Sequence, residues 1–92
     1  MNTSQAQQMQ LMHSPRLATV LMVEDALKRS KEMIKVSELK RRLPRKVMHS
    51  TLVQILDYLQ ESGKILVATR GVVWIYRPPA ELERLKIGGL EL

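Results

Sequence analysis

The stretch from Arg45 to Gly63, RKVMHSTLVQILDYLQESG, constrains this chain most. Leu52, Ile55, Leu56 and Leu59 stand at i, i+3, i+4 and i+7, which lays one apolar stripe along a helix. Ser50 or Thr51 is placed to cap its start, because a hydroxyl there accepts a bond from a free backbone N–H. Gly63 is placed to end it, since glycine enters the left-handed C′ conformation without a Cβ clash. The opposite face carries Ser50, Thr51, Val53, Gln54, Asp57 and Tyr58, with no lysine or arginine, while cations crowd just upstream. Small polar side chains flanked by cations suit a helix that lies in a DNA groove, where the polar groups reach base edges and the cations hold phosphates. The plain alternative is an exposed helix with an uncharged face.

Charge placement sharpens the choice. The 92-residue chain carries a net +6. Residues 35–77 alone hold nine cations (Lys35, Lys40, Arg41, Arg42, Arg45, Lys46, Lys64, Arg70, Arg77) against three anions (Glu38, Asp57, Glu61), which is the whole excess. The two flanks cancel. Solubility alone does not require such localisation, whereas a concentrated basic field attracts polyanions and speeds their encounter.

The length fits one domain with tails: residues 1–14, a domain over 15–78, and residues 79–92. Phe and Cys are absent and only three aromatics occur, so the core has to be aliphatic. The missing cysteines exclude disulfides and thiolate metal sites, and they fit a reducing, cytoplasmic setting. The apolar run Leu17 to Val23 is too short to span a bilayer, and residues 1–14 lack the order of a signal peptide.

Read in order, residues 1–14 are a polar, Gln- and Met-rich tail, either disordered or helical only when packed on something. Ser14-Pro15 is a helix start, a hydroxyl cap followed by proline at the first helical position. The helix runs to about Ser30 or Lys31. Its apolar residues Leu17, Val20, Leu21 and Leu27, widened by Ala18, Met22 and Val23, are consistent with two contacts, core and partner chain, or with one deep burial. Met33-Ile34-Lys35 has the look of a short extended piece. A second helix follows, capped by Ser37, with Leu39 and Leu43 inward and Lys40, Arg41 and Arg42 in its last turn, where cations complement the dipole. Pro44 stops it. Beyond Gly63, Lys64 to Arg70 and Val72 to Arg77 form a β-hairpin around Thr69, Arg70 and Gly71. Ile65 and Val67 share one face, paired with either Val73 and Ile75 or Val72, Trp74 and Tyr76. Pro78-Pro79 ends the strand, and residues 80–87 are compatible with a short helix.

Helix, short strand, helix, turn, helix and hairpin is an order that resembles the small winged helix-turn-helix proteins of archaea and bacteria. The residues that carry the resemblance are Val36-Ser37-Glu38-Leu39, Ser50-Thr51-Leu52 with Ile55, Leu56 and Leu59, Gly63-Lys64-Ile65, and Val73-Trp74-Ile75-Tyr76. It covers roughly residues 15–78. It implies an α+β, mainly α fold of three helices plus a C-terminal hairpin wing, and a DNA-binding transcriptional regulator that acts on double-stranded DNA. The wide apolar face from Leu17 to Leu27, on a chain with a small core, separately points to a homodimer. By position, Ser50, Thr51, Val53 and Gln54 would face base edges, with Tyr58 and His49 beside them. Lys40, Arg41, Arg42, Arg45 and Lys46 would meet phosphates, and Arg70 would reach a backbone or the minor groove. The chain departs from the family in having Asp57 and no basic residue between His49 and Ser62.

Catalytic patterns are missing. His13 and His49 stand 36 positions apart without partner ligands, and neither a Gly-rich phosphate loop nor an HExxH pattern occurs. The expectation is therefore a non-enzymatic protein without cofactor, metal or membrane segment. A second class stays open, a winged helix used as a protein-interaction module inside a larger assembly.

Overall fold

Among the described residues eleven buried side chains form the core, and all are aliphatic: Val23, Leu27, Ile34, Leu39, Leu43, Leu52, Ile55, Leu56, Leu59, Ile65 and Val72. The computed structural model describes residues 14–80, where the chain is α+β and mainly helical. Helix α1 spans Leu17–Ser30, α2 Val36–Arg42 and α3 His49–Glu61, followed by strands β1 (Ile65–Ala68) and β2 (Gly71–Trp74). The expectations for residues 1–13 and for a short helix beyond Ala80 lie outside the described residues. Among the described residues no helix is long and apolar enough to cross a membrane.

The three described helices begin where burial puts them, and none uses the hydroxyl that the sequence offers. Arg16, Lys35 and Met48 are the N-caps, and none makes a side-chain capping bond. Ser14 lies two residues before its cap, while Ser37, Ser50 and Thr51 are already inside their helices. In each case the first i→i−4 bond is made by an apolar residue that packs inward. Val20 N bonds Arg16 O at 3.1 Å, Leu39 N bonds Lys35 O at 2.9 Å, and Leu52 N bonds Met48 O at 2.9 Å. A hydroxyl cap is worth about 1 kcal/mol. Burying a leucine fully is worth about 1.5–3 kcal/mol. Burial outweighs capping, and it fixes the frame of each helix.

The α1 stripe divides. Val23 and Leu27 are buried and Val20 packs against them, but Leu17 and Leu21 are 72% and 52% exposed. Lys31 ends α1 in the left-handed region at φ 61, which costs an L side chain about 1–2 kcal/mol. Lys31→Gly is therefore expected to stabilise the fold by about 1 kcal/mol, read as a raised urea midpoint. An unchanged or lowered midpoint would show that the Lys31 side chain contributes something that offsets the strain.

Helix α3 closes as expected from its glycine. Gly63 has φ 74, its N–H bonds Gln60 O at 3.0 Å, and Lys64 N–H bonds Leu59 O at 2.9 Å. These are the two bonds of a Schellman motif. The chain turns directly into β1, which pairs antiparallel with β2 in the register Ile65↔Trp74, Leu66↔Val73, Val67↔Val72 and Ala68↔Gly71. That register selects Val72 and Trp74 as the partners of Ile65 and Val67. Ile34 adds a third edge to the sheet: its N–H donates to Val72 O at 3.0 Å and its carbonyl accepts from Val72 N at 2.8 Å. The second strand stops at Trp74, short of the expected Arg77. Ile75 and Tyr76 turn their N–H groups to Lys64 O, at 2.9 and 3.2 Å, and Trp74 Nε1 donates to Tyr76 O at 2.9 Å. Lys28 of α1 places its Nζ 5.1 Å from the Trp74 ring centroid, a cation–π contact that ties helix to sheet.

Candidate nucleic-acid interface

Helix α3 starts with His49 and Ser50 exposed, no acidic residue in its first turn and no side chain on its free N–H groups. An uncapped helix start with no carboxylate nearby is attractive to an anion. Arg45 and Lys46, both exposed, lead into it across the turn that Pro44 begins. They share a shallow recess with Thr51 and with Thr19 and Met22 of α1. Thr51 is accordingly half-buried against α1.

The remaining cations separate into pairs with different availability. Arg41 and Arg42 both return to Glu38, at 2.7 and 3.1 Å, so one carboxylate holds two guanidiniums. Hydrogen bonds from Arg42 and then Arg41 hold the Glu38 carboxyl below the usual glutamate range. A lowered pKa means that this exposed triad is intact above the ordinary glutamate range and is lost only as pH falls through the depressed value. Lys40 is exposed and has no carboxylate within ion-pair distance among the described residues. Arg70 occupies the hairpin turn, and the hairpin shares a recess with Lys35 and Ser37 at the start of α2. Arg70 and Lys35 are thus brought together by tertiary structure. Lys35 contributes to the basic count in the sequence, but its place beside the hairpin has no local signature.

The polar face of α3 is narrower than the helical wheel predicts. Val53 is 40% exposed and His49, Ser50 and Asp57 are also open to solvent. Gln54 is not: it is half-buried, and its Oε1 is inaccessible and without a hydrogen-bond partner among the described residues. Together with Tyr58 it lines a recess against α1. Gln54, expected at a base edge, thus does not present its amide oxygen to solvent in this structure, because the N-terminal half of α1 lies on that side of α3. Tyr58 is still 51% exposed, but it stands at the same α1-facing rim. The outward edge of α3 instead continues through Asp57 to Glu61, both exposed.

The twelve residues expected at an interface therefore fall into five places. His49, Ser50, Val53 and Lys40 are open; Arg45, Lys46 and Thr51 border α1; Arg41 and Arg42 are engaged with Glu38; Gln54 and Tyr58 face α1, and Arg70 stands apart on the hairpin. Among the described residues no group of three or more His, Cys, Asp or Glu is arranged to hold a metal ion. No family model matches the chain, and neither does any curated protein or any solved structure.

Proposed function

We propose that this chain is a winged helix-turn-helix protein that binds double-stranded DNA and regulates transcription, with α3 in the major groove and the hairpin as its wing. One observation carries the reading. Lys35, Lys40, Arg45, Lys46, Arg70 and Arg77 are exposed and have no ion-pair partner among the described residues, and all six lie in the segment that surrounds α3. Unpaired cations around an uncapped helix start favour phosphate contact. In this reading Arg45, Lys46 and the α3 N-terminus hold one strand, Arg70 with Lys35 holds another backbone segment, and His49, Ser50 and Val53 approach base edges. Val53 is suited to a thymine methyl.

Titration of a mixed-sequence duplex at low and moderate salt tests the proposal. Binding is expected at low salt and should weaken steeply as salt rises, by a log–log slope of roughly −0.9 per phosphate contact. Absence of binding at low salt rejects the DNA reading. Glu38 offers an independent check. Glu38→Gln removes one anion and releases Arg41 and Arg42, so it is expected to tighten non-specific binding and steepen the slope by roughly one unit. An unchanged slope would mean that α2 does not approach the phosphates.

A two-fold pair would present two α3 helices to successive turns of DNA, and light scattering at micromolar concentration distinguishes this from a monomer. A second function is favoured by Asp57 and Glu61, which place two carboxylates on the outward edge of α3. That edge suits a basic protein surface, and the chain would then serve as an interaction module within a larger assembly.

A further inference from the structure

The first two turns of α1 carry more apolar surface than the core takes up. Val23 turns inward, but Leu17 and Leu21, one helical turn apart, remain 72% and 52% exposed. Ala18 beside them is exposed as well, and Tyr58 of α3, 51% exposed, stands on the same rim. From Leu17 to Val23 no residue is charged, on a chain with a net +6. Leu17, Leu21 and Tyr58 together leave on the order of 300 Å² of side chain in water, the size at which an apolar patch marks a contact surface.

We propose that two copies of the chain associate through this face, α1 against α1 and antiparallel, about a two-fold axis midway between Leu17 and Leu21. The occupant follows from charge. Two chains of net +6 repel each other and meet at least cost where neither presents a cation. The uncharged stretch from Leu17 to Val23 also lacks any ion that would single out an unlike partner. A two-fold contact needs a surface that complements itself. Two leucines four positions apart provide one, because each Leu17 then packs against the second copy's Leu21. The register follows from what continues the stripe. Asp25 lies one turn beyond Leu21, and both Asp25 and Lys28 are exposed. An axis through Leu21 would press Asp25 against the second copy's Leu17 and strip water from a carboxylate. An axis between Leu17 and Leu21 leaves both charged side chains at the edge, in water. Thr19 and Met22, on the other flank of α1, border Arg45 and Lys46, so the pairing keeps those cations open. With Pro15, Ala18 and Tyr58 at its margin each copy contributes about 500 Å², which places the pair at the lower limit of a specific interface, about 1,000 Å² in total. Association in the micromolar range is therefore expected. This face gives the two-fold pair considered above its contact surface, and it does not depend on the DNA reading.

Sedimentation equilibrium of the full chain, without DNA, tests the pairing. The unaltered chain is expected to show a monomer–dimer equilibrium with a micromolar Kd. Leu17→Lys and Leu21→Glu should each weaken it roughly tenfold or more, since the two-fold repeats every lost leucine contact. Both positions are exposed, so the circular dichroism spectrum and the urea midpoint of each variant should stay as they are. The mixture of the two variants is decisive. In a mixed pair the ammonium introduced at position 17 meets the carboxylate introduced at position 21, and the other contact is still leucine on leucine. A one-to-one mixture should therefore associate roughly tenfold more tightly than either variant alone. An unaltered chain that stays monomeric at submillimolar concentration overturns the proposal and leaves this face to residues 1–13 or to an unlike partner. Dimers that persist in both single variants overturn it too, because the contact then lies elsewhere. A mixture no tighter than its components rules out the pairing of Leu17 with Leu21 and with it the proposed axis. A failed duplex titration would leave each of these results unchanged.

Discussion

Gly71→Ala is expected to destabilise the fold by roughly 3 kcal/mol or more, the range reserved for strain at a special backbone position or overpacking against fixed atoms. Gly71 has φ 146, a region that L side chains rarely enter. A Cβ there would stand 2.2 Å from the Ile34 carbonyl oxygen and 2.6 Å from its carbon. Neither neighbour is a flexible side chain that can swing aside. The Ile34 carbonyl is fixed by the bond it accepts from Val72 N at 2.8 Å. Relief would therefore break the bridge between Ile34 and β2, and with it the packing of Ile34 and Val72, both buried. Small domains hold about 0.05–0.15 kcal/mol of stability per residue, so a loss of this size removes a substantial part of it. Gly63→Ala is the control. Gly63 also has a positive φ, 74, but nothing lies within 4 Å of a Cβ placed there. Its cost is the left-handed conformation alone, about 1–2 kcal/mol. Urea unfolding of both variants should show Gly71→Ala losing clearly more. Equal losses would mean that Ile34 and β2 separate easily and that the bridge contributes little.

The contrast between those glycines also shows what the sequence makes legible. Gly63 is predictable because its role is local: an amphipathic run ends and a residue must turn left-handed. Gly71 reads only as part of a turn, since the carbonyl it faces lies 37 positions upstream at Ile34. The same division holds elsewhere. Leu39, Leu52, Ile55, Leu56 and Leu59 are readable as core from spacing, and all are buried. The three helix caps are misread by two or three residues because a hydroxyl is visible in the sequence and the competing burial of Val20, Leu39 and Leu52 is weaker as a local signal. The enclosure of the Gln54 amide oxygen is illegible for a related reason. The wheel gives the direction of a side chain around its own axis, but it does not say that α1 crosses there. Glu24 and Lys64 are 40 positions apart, and no periodicity links them.

The largest expected effect on DNA belongs to Arg45 and Lys46. Both are exposed, neither has a carboxylate partner among the described residues, and both precede a helix start that no side chain caps. If each holds one phosphate, each contributes roughly −0.9 to the log–log salt slope, which amounts to roughly eightfold in affinity at 0.1 M salt and vanishes near 1 M. Arg45→Ala with Lys46→Ala should thus weaken binding roughly sixtyfold at 0.1 M and flatten the slope by about two units, equally for every duplex sequence. The fold should be unaffected, because neither side chain is buried. Arg29→Ala is the matched control: it removes an exposed cation that is paired with Asp25 at 3.0 Å on α1, and the slope should not move. Val53→Ala probes the other kind of contact. Val53 is exposed on α3 one turn beyond His49, so its loss should leave non-specific binding alone and cost affinity only on a preferred site. Gln54→Ala, by contrast, should be silent on DNA of any sequence, since its amide oxygen is enclosed against α1. The decisive result is the pair of slopes. If the Arg45 and Lys46 double variant keeps the full slope while Gln54→Ala loses sequence preference, then α3 meets DNA through its α1-facing side, and the first turn that these cations flank is not the phosphate site.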